Sequence, residues 1–239
     1  MTKKQNIDPK EIEKFDELAK TWWDTKGDFK SLHQINPVRV SFIEKRVDLR
    51  SKKILDVGCG GGLLSEALSN LGAEVTAIDA SEKTINIAKA HAKEVNSKVH
   101  YLKTSTEEFL SKRPELKFDV ITCLEMLEHV PEPSQTIKEC ASLLSENGDL
   151  FLSTINRNPR SYLFAVLGAE YILNLLPKGT HDYSKFIKPS ELSRWIRSAN
   201  LNLIEIIGLS YNPITDNYWL GADIGVNYLM HVKKVDESY

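Results

Sequence analysis

The sequence predicts an α/β domain: a mostly parallel sheet, helices on both faces, and an antiparallel pair at one edge. Three observations carry this. From residue 52 onward, short aliphatic runs alternate with amphipathic helical stretches. Glycine and serine punctuate the junctions, as helix stops and caps do. The last two apolar runs, LNLIEIIGLSY (201–211) and VNYLMHVKK (226–234), have no helical pattern between them. Such a pair suits antiparallel strands.

The first helix is marked by Asp8 as cap, Pro9 in its first turn and Glu11 at the capping-box position. Ile12, Phe15, Leu18, Ala19 and Trp22 follow at helical spacing. This stripe reads as packing against the main domain; closing over a substrate is the sharper alternative. A second short helix is expected near NPVRVSFIEKRV, with Pro37 in its first turn. The strands are KKILDVG (52–58), EVTAIDA (74–80), KVHYLKT (98–104), KFDVITCLE (117–125), GDLFLSTI (148–155) and the final two. Helices are expected at 62–72, stopping at Gly72, and at 81–95, capped by Ser81. The stretch 160–189 breaks the alternation, being too long for a connection and apolar on more than one side.

The chain has 239 residues, suiting one large domain. Its net charge of −2 lacks the basic excess of a nucleic-acid binder. Cys59, Cys123 and Cys140 are odd in number and without CxxC spacing, so they read as reduced cytoplasmic thiols. The N-terminal stretch has no signal-peptide apolar region, and no run reaches the length of a membrane span.

LDVGCGGGLL joins the first strand to the helix after it. Gly58, Gly60, Gly61 and Gly62 let the backbone approach a ligand and take positive φ. That ligand would lie at the helix N-terminus and the carboxyl ends of the strands. Asp79, ending the second strand, suits both hydroxyls of a ribose. A dinucleotide loop wants a third small residue where this chain has Leu63, which counts against an NAD-linked oxidoreductase. An S-adenosyl ligand has no pyrophosphate and fits better. Asp56 could orient its ammonium group, directly or through water.

TCLEMLEHVPEP (122–133) places Glu125, Glu128 and His129 just after a buried strand. If the chain turns helical there, positions i, i+3 and i+4 project to one side. Two carboxylates and an imidazole suit Mg²⁺ tolerably, and Mn²⁺ or Zn²⁺ at least as well. His129 could instead act as general base on a phenol, a role that competes with metal ligation. Ion pairing or loop organisation is the plainer reading of the cluster.

ILDVGCGGG, AEVTAIDAS and FDVITCLEMLEHV resemble the class I S-adenosylmethionine-dependent methyltransferases. That resemblance implies a Rossmann-like, seven-stranded sheet with an antiparallel last strand. FDELAKTWWD, LHQINPVR, STINRNPRSY, GAEYILNLLPKGTHDYSKFIKPSEL and GLSYNPITDNYWLG narrow it to the ubiquinone-biosynthesis O-methyltransferase family. The family pattern implies cofactor contacts at Arg39, Gly58, Asp79 and Leu124, to which the loop reading adds Asp56 and Gly60. It implies Mg²⁺ at Glu125, Glu128 and His129; His129 and Glu128 are separately read as the catalytic residues. Ser105 and Thr106 stand where many relatives carry an acid near the adenine, so no acid is assigned there.

The expected organisation is one domain: an N-terminal helical cap (1–50), a cofactor-binding core (51–158), a helical insertion (159–189) and a C-terminal helix with edge strands (190–239). The implied substrates are polyprenyl catechol and demethylubiquinol. They place the protein on the inner face of the membrane, possible partners being other ubiquinone-biosynthesis proteins. Segment 160–189, flanked by Arg160, Lys178, Lys185 and Lys188, reads as a lid, a contact with a second subunit or a peripheral membrane contact. The alternatives are methylation of another phenol or small acid, or a non-catalytic S-adenosyl-binding scaffold.

Overall fold

Alternating aliphatic residues explain the sheet. Ile54 and Leu55, Val120 and Ile121, Leu150 and Phe151 are fully buried neighbours that point to opposite faces. A strand apolar on both faces must be covered on both. In the computed structural model, which describes residues 5–162 and 182–234, it is. One face packs Leu55, Ile121, Leu150 and Met230 with Ile137 of α6 (Pro133–Leu143) and Leu192 and Ile196 of α8 (Pro189–Ser198). The other packs Ile54, Val120, Phe151 and Leu229 with Phe42 and Ile43 of α2 (Lys30–Glu44) and Leu68 of α3 (Leu63–Asn70). Each such side chain contributes about 1.5–3 kcal/mol on burial.

The strands are β1 (Lys53–Val57), β2 (Glu74–Asp79), β3 (His100–Lys103), β4 (Phe118–Leu124), β5 (Leu144–Ile155), β6 (Leu201–Asn212), β7 (Asn217–Gly221) and β8 (Asn227–Lys234). Their order is β3-β2-β1-β4-β5-β8-β6-β7. The pairs from β3 through β5 are parallel, and β8, β6 and β7 are antiparallel to their neighbours. The chain runs outward from β1 to β3 and returns on β1's other side as β4. Loops after β1 and β4 therefore diverge, and a crevice opens at the carboxyl ends of those strands.

Three details depart from the sequence expectation. The sheet has eight strands, not seven. Asn212 Oδ1 accepts from Ile214 N (2.8 Å) and Thr215 N (3.3 Å), closing a turn. The alternating residues after it pair with β6 as β7. The antiparallel pairing of 201–211 with 226–234 is present, but β8 lies inside the sheet, between β5 and β6. Finally, α2 begins at Lys30, so Pro37 sits inside it rather than in the first turn. Burial of Ile35, Phe42 and Ile43 carries the helix past the hydrogen bond that proline removes.

α1 (Pro9–Leu18) is capped by Asp8, whose carboxylate accepts from Lys10 N at 3.1 Å. The remaining helices are α4 (Glu82–Glu94), with Ser81 as the expected cap, α5 (Thr106–Lys112) and the single turn α7 (Pro159–Ser161). All three cysteines are buried free thiols. Residues 163–181, the centre of the lid or membrane-contact segment, lie outside the described residues. No helix among the described residues is long and apolar enough to cross a membrane.

Candidate active site

The loop after β1 needs its glycines for two separate reasons. Gly58, Gly60 and Gly62 take φ of +73°, +53° and +93°, a region costly for side chains with a Cβ. Their bare faces are also in use. A Cβ on Gly60 or Gly61 would overlap the indole of Trp22, and one on Gly58 would overlap Met126. Trp22 packs against Phe29 with ring centroids 4.1 Å apart and planes tilted by 30°. Trp23 donates from Nε1 to Gly61 O (3.1 Å) and stacks flat on His91, which pairs with buried Glu66 at 3.0 Å. The N-terminal segment is thus a cover pressed onto the glycine loop, and its aromatic stripe both packs and encloses.

Beneath it lies a cavity of about 610 Å³. The residues assigned to the cofactor and to the acid–histidine cluster line it: Arg39, Asp56, Gly58, Gly60, Asp79, Leu124, Glu125, Glu128 and His129. Asp79 accepts from Gly60 N (2.9 Å) and Ser81 N (2.8 Å), tying the end of β2 to the glycine loop. Burial pushes its carboxyl up, opposed by those two donors. Asp56 accepts from the hydroxyls of Ser65 and Thr122, and burial raises its carboxyl too. Arg39 is 7% exposed. Its Nη2 lies 3.3 Å from Glu125 Oε1, in ion-pair contact but outside hydrogen-bonding geometry. Both Nε and Nη2 are buried without an acceptor. Orphaned guanidinium donors in a cavity wall fit a ligand carboxylate.

Glu125, Glu128 and His129 reach the cavity, but not as the cluster expected at helical spacing. Glu125 takes φ +52°, and a single 3-10 turn (Leu127–His129) follows instead of an α-helix. The three side chains have separate partners. Glu125 accepts from Ser153 Oγ (2.6 Å) and Asn227 Nδ2 (3.1 Å) and faces Arg39. Glu128 accepts from Thr154 Oγ1 at 2.9 Å. His129 Nδ1 meets Glu11 Oε2 at 2.9 Å. Among the described residues no group of three His, Cys, Asp or Glu side chains is arranged to hold a metal ion. The donor set does not fit the Mg²⁺ site that the resemblance implied, because the backbone turn splits it.

Glu128 is buried, and desolvation, with the Glu125 carboxylate nearby, pushes its carboxyl up to about 8. It therefore stays protonated at neutral pH. A raised folded-state value gives stability that is present below the ordinary value of 4.5 and lost as pH rises through about 8. Glu128→Gln removes that loss. The variant's melting temperature should gain on the parent's by about 7–15 °C as pH rises from 5 to 8.5. Equal melting temperatures at both values would mean that Glu128 is already ionised when folded.

Glu11 was read from the sequence as a capping acid, but it makes no capping box. It is buried and receives Lys185 Nζ (2.8 Å) and Lys14 Nζ (3.1 Å) as well as His129. Burial opposes its charge, but the bonds from His129 and Lys185 prevail and hold its carboxyl well below the ordinary value. Tyr211 and Tyr218, on the β6–β7 hairpin, were not singled out either. They line the cavity with rings 4.5 Å apart. Asp216 fixes the hairpin tip to α2 through Lys30 and Gln34, both at 2.8 Å.

A glycine loop after β1, an acid at the end of β2 and a covered crevice at the switch point define an S-adenosylmethionine-dependent methyltransferase. The methyltransferase-domain family model matches residues 33–206. Ubiquinone biosynthesis O-methyltransferases of Saccharophagus degradans and Dechloromonas aromatica are 55% and 57% identical to the chain. The first alignment covers 98% of this chain and 99% of the relative, the second 94% and 97%. The chain belongs to the ubiquinone biosynthesis O-methyltransferase family. Its fold matches magnesium protoporphyrin IX methyltransferase of Synechocystis PCC 6803, crystallised with bound SAH, at TM-score 0.67 and 20% identity over 93% of this chain and 94% of the other. S-adenosylmethionine is its methyl donor.

Proposed function

We propose that the enzyme methylates a ring hydroxyl of polyprenyl catechol and demethylubiquinol. The single observation that carries this is the near-full-length identity to curated enzymes of that name. The cavity supports it, because its walls are largely aromatic and aliphatic (Ile12, Phe15, Phe29, Leu209, Tyr218 and Val226). In this reading Arg39 takes the donor's carboxylate, Asp56 its ammonium and Asp79 its ribose hydroxyls. Gly58, Gly60 and Leu124 line the donor's bed. A phenol at neutral pH is mostly protonated and a poor nucleophile. His129 removes the proton, the ring oxygen attacks the sulfonium methyl in line, and the S–CH₃ bond pair returns to sulfur. In the same reading Glu128, neutral, donates a hydrogen bond to the neighbouring ring oxygen. Most of the remaining acceleration is positioning. A substrate with an isoprenoid tail lies in the bilayer, so the protein would work at the inner membrane surface. Arg160, Lys185 and Lys188 flank the segment proposed to face it.

The test is transfer of labelled methyl to a prenylated catechol, with and without EDTA. Transfer that persists in EDTA is expected of the arrangement described. Activity restored only by added Mg²⁺ would mean that Glu125, Glu128 and His129 swing together on loading. Cofactor binding with no transfer to any catechol would overturn the substrate assignment in favour of another acceptor or a scaffold role.

A further inference from the structure

We infer that Tyr218 is an acceptor-specificity residue: its hydroxyl donates a hydrogen bond to a ring oxygen that demethylubiquinol has and polyprenyl catechol lacks. The inference deepens the proposed function and rests on its reading of the two acceptors. A catechol has only its adjacent pair of ring oxygens, and these are already assigned to His129 and Glu128. A demethylubiquinol ring carries further oxygens, which need their own donors when the ring leaves water. Tyr218 lines the cavity, and its hydroxyl has no hydrogen-bond partner among the described residues. Burial raises the phenol well above its ordinary value, so it keeps its proton and can donate at neutral pH.

The β6–β7 hairpin holds this hydroxyl in place. Tyr211 and Tyr218 are paired directly across the two strands, so both rings stand on one face of the sheet. The rings lie 4.5 Å apart with planes tilted by 31°, which restricts how Tyr218 can turn. The Tyr211 hydroxyl is already in use. It donates to Asp216 Oδ1 at 2.9 Å, while Lys30 and Gln34 of α2 donate to Oδ2. The hairpin tip is thereby fastened to α2, and Tyr218 packs against the apolar group that includes Ile35 and Leu209. One tyrosine hydroxyl braces the hairpin, and the other is left for a ligand. Strand order puts that ligand on the acceptor side. The ends of β1, β2 and β4 form the donor's bed, and β7 lies four strands beyond β4, about 19 Å along the sheet.

The experiment uses the full chain, labelled S-adenosylmethionine and two acceptors with the same short prenyl tail: a catechol, and a demethylubiquinol kept reduced. Tyr218→Phe keeps the ring and removes only the unpartnered hydroxyl, so the fold should be unaffected, which thermal melting checks. The variant should lower the ratio of kcat/KM for demethylubiquinol to that for catechol about three- to tenfold, with KM for S-adenosylmethionine unchanged. Demethylubiquinol analogues that each lack one ring oxygen extend the test: one of them should erase the difference between parent and variant. An unchanged ratio, or a difference that no analogue erases, overturns the inference. A raised KM for S-adenosylmethionine with both acceptors would place Tyr218 beside Arg39 on the donor's carboxylate, and overturns it as well. Methyl transfer to neither acceptor by the parent chain would instead sink the proposed function itself.

Discussion

Replacing Arg39 with methionine should lower the affinity for S-adenosylmethionine about a hundredfold. Losing one partner of a buried, hydrogen-bonded charge pair costs about 3 kcal/mol, which is about two decades in Kd. The guanidinium is suited to this because its Nε and Nη2 find no acceptor in the protein. Methionine keeps much of the side chain's volume and leaves Glu125 held by Ser153 and Asn227, so the fold should survive. Calorimetric titration of the variant with S-adenosylmethionine measures the effect, and thermal melting confirms the fold. An unchanged Kd would leave Arg39 with the Glu125 contact as its role.

The second large effect is on stability. Gly60→Ala should lower the melting temperature by about 6–12 °C and red-shift the tryptophan emission. Two costs combine. An L residue at φ +53° costs about 1–2 kcal/mol, and the new methyl group overlaps Trp22, which must lift off the loop. Each kcal/mol is worth about 2–4 °C in a domain of this size. Gly72→Ala is the control. Its φ is also positive, at +91°, but the nearest heavy atom to an added Cβ, Arg50 Cγ, is 3.5 Å away, an ordinary contact. It should lose only the conformational cost and leave the emission unchanged. Similar melting and emission in both variants would mean that Trp22 does not depend on the bare glycine face.

How much was legible in the sequence depended on the range of the interaction. The glycine loop, Ser81 and Gly72 act within a few residues of themselves, and local chemistry identifies them. Asp79 could be placed because strand ends align in a parallel sheet. The helix expected after β4 gives way to a single turn, and no local signal marks Glu125 for φ +52°. Glu11 was missed because its partners are His129 and Lys185, far along the chain, while its position next to a helix cap offered a sufficient local explanation. Tyr211 and Tyr218 became visible only once β7 paired with β6. That pairing hinged on a turn of Asn212 that could equally have closed a loop.

The position of β8 has a consequence for synthesis of the chain. β6 is made before β8 but reaches β5 only through it, since β8 lies between them. Until residues 227–234 emerge from the ribosome, the parallel half of the sheet ends in an unpaired β5 edge, and β6 and β7 form at most a detached hairpin. An open, apolar strand edge is a template for pairing with other chains. The nascent chain is therefore most exposed to aggregation between the completion of β5 and the arrival of β8.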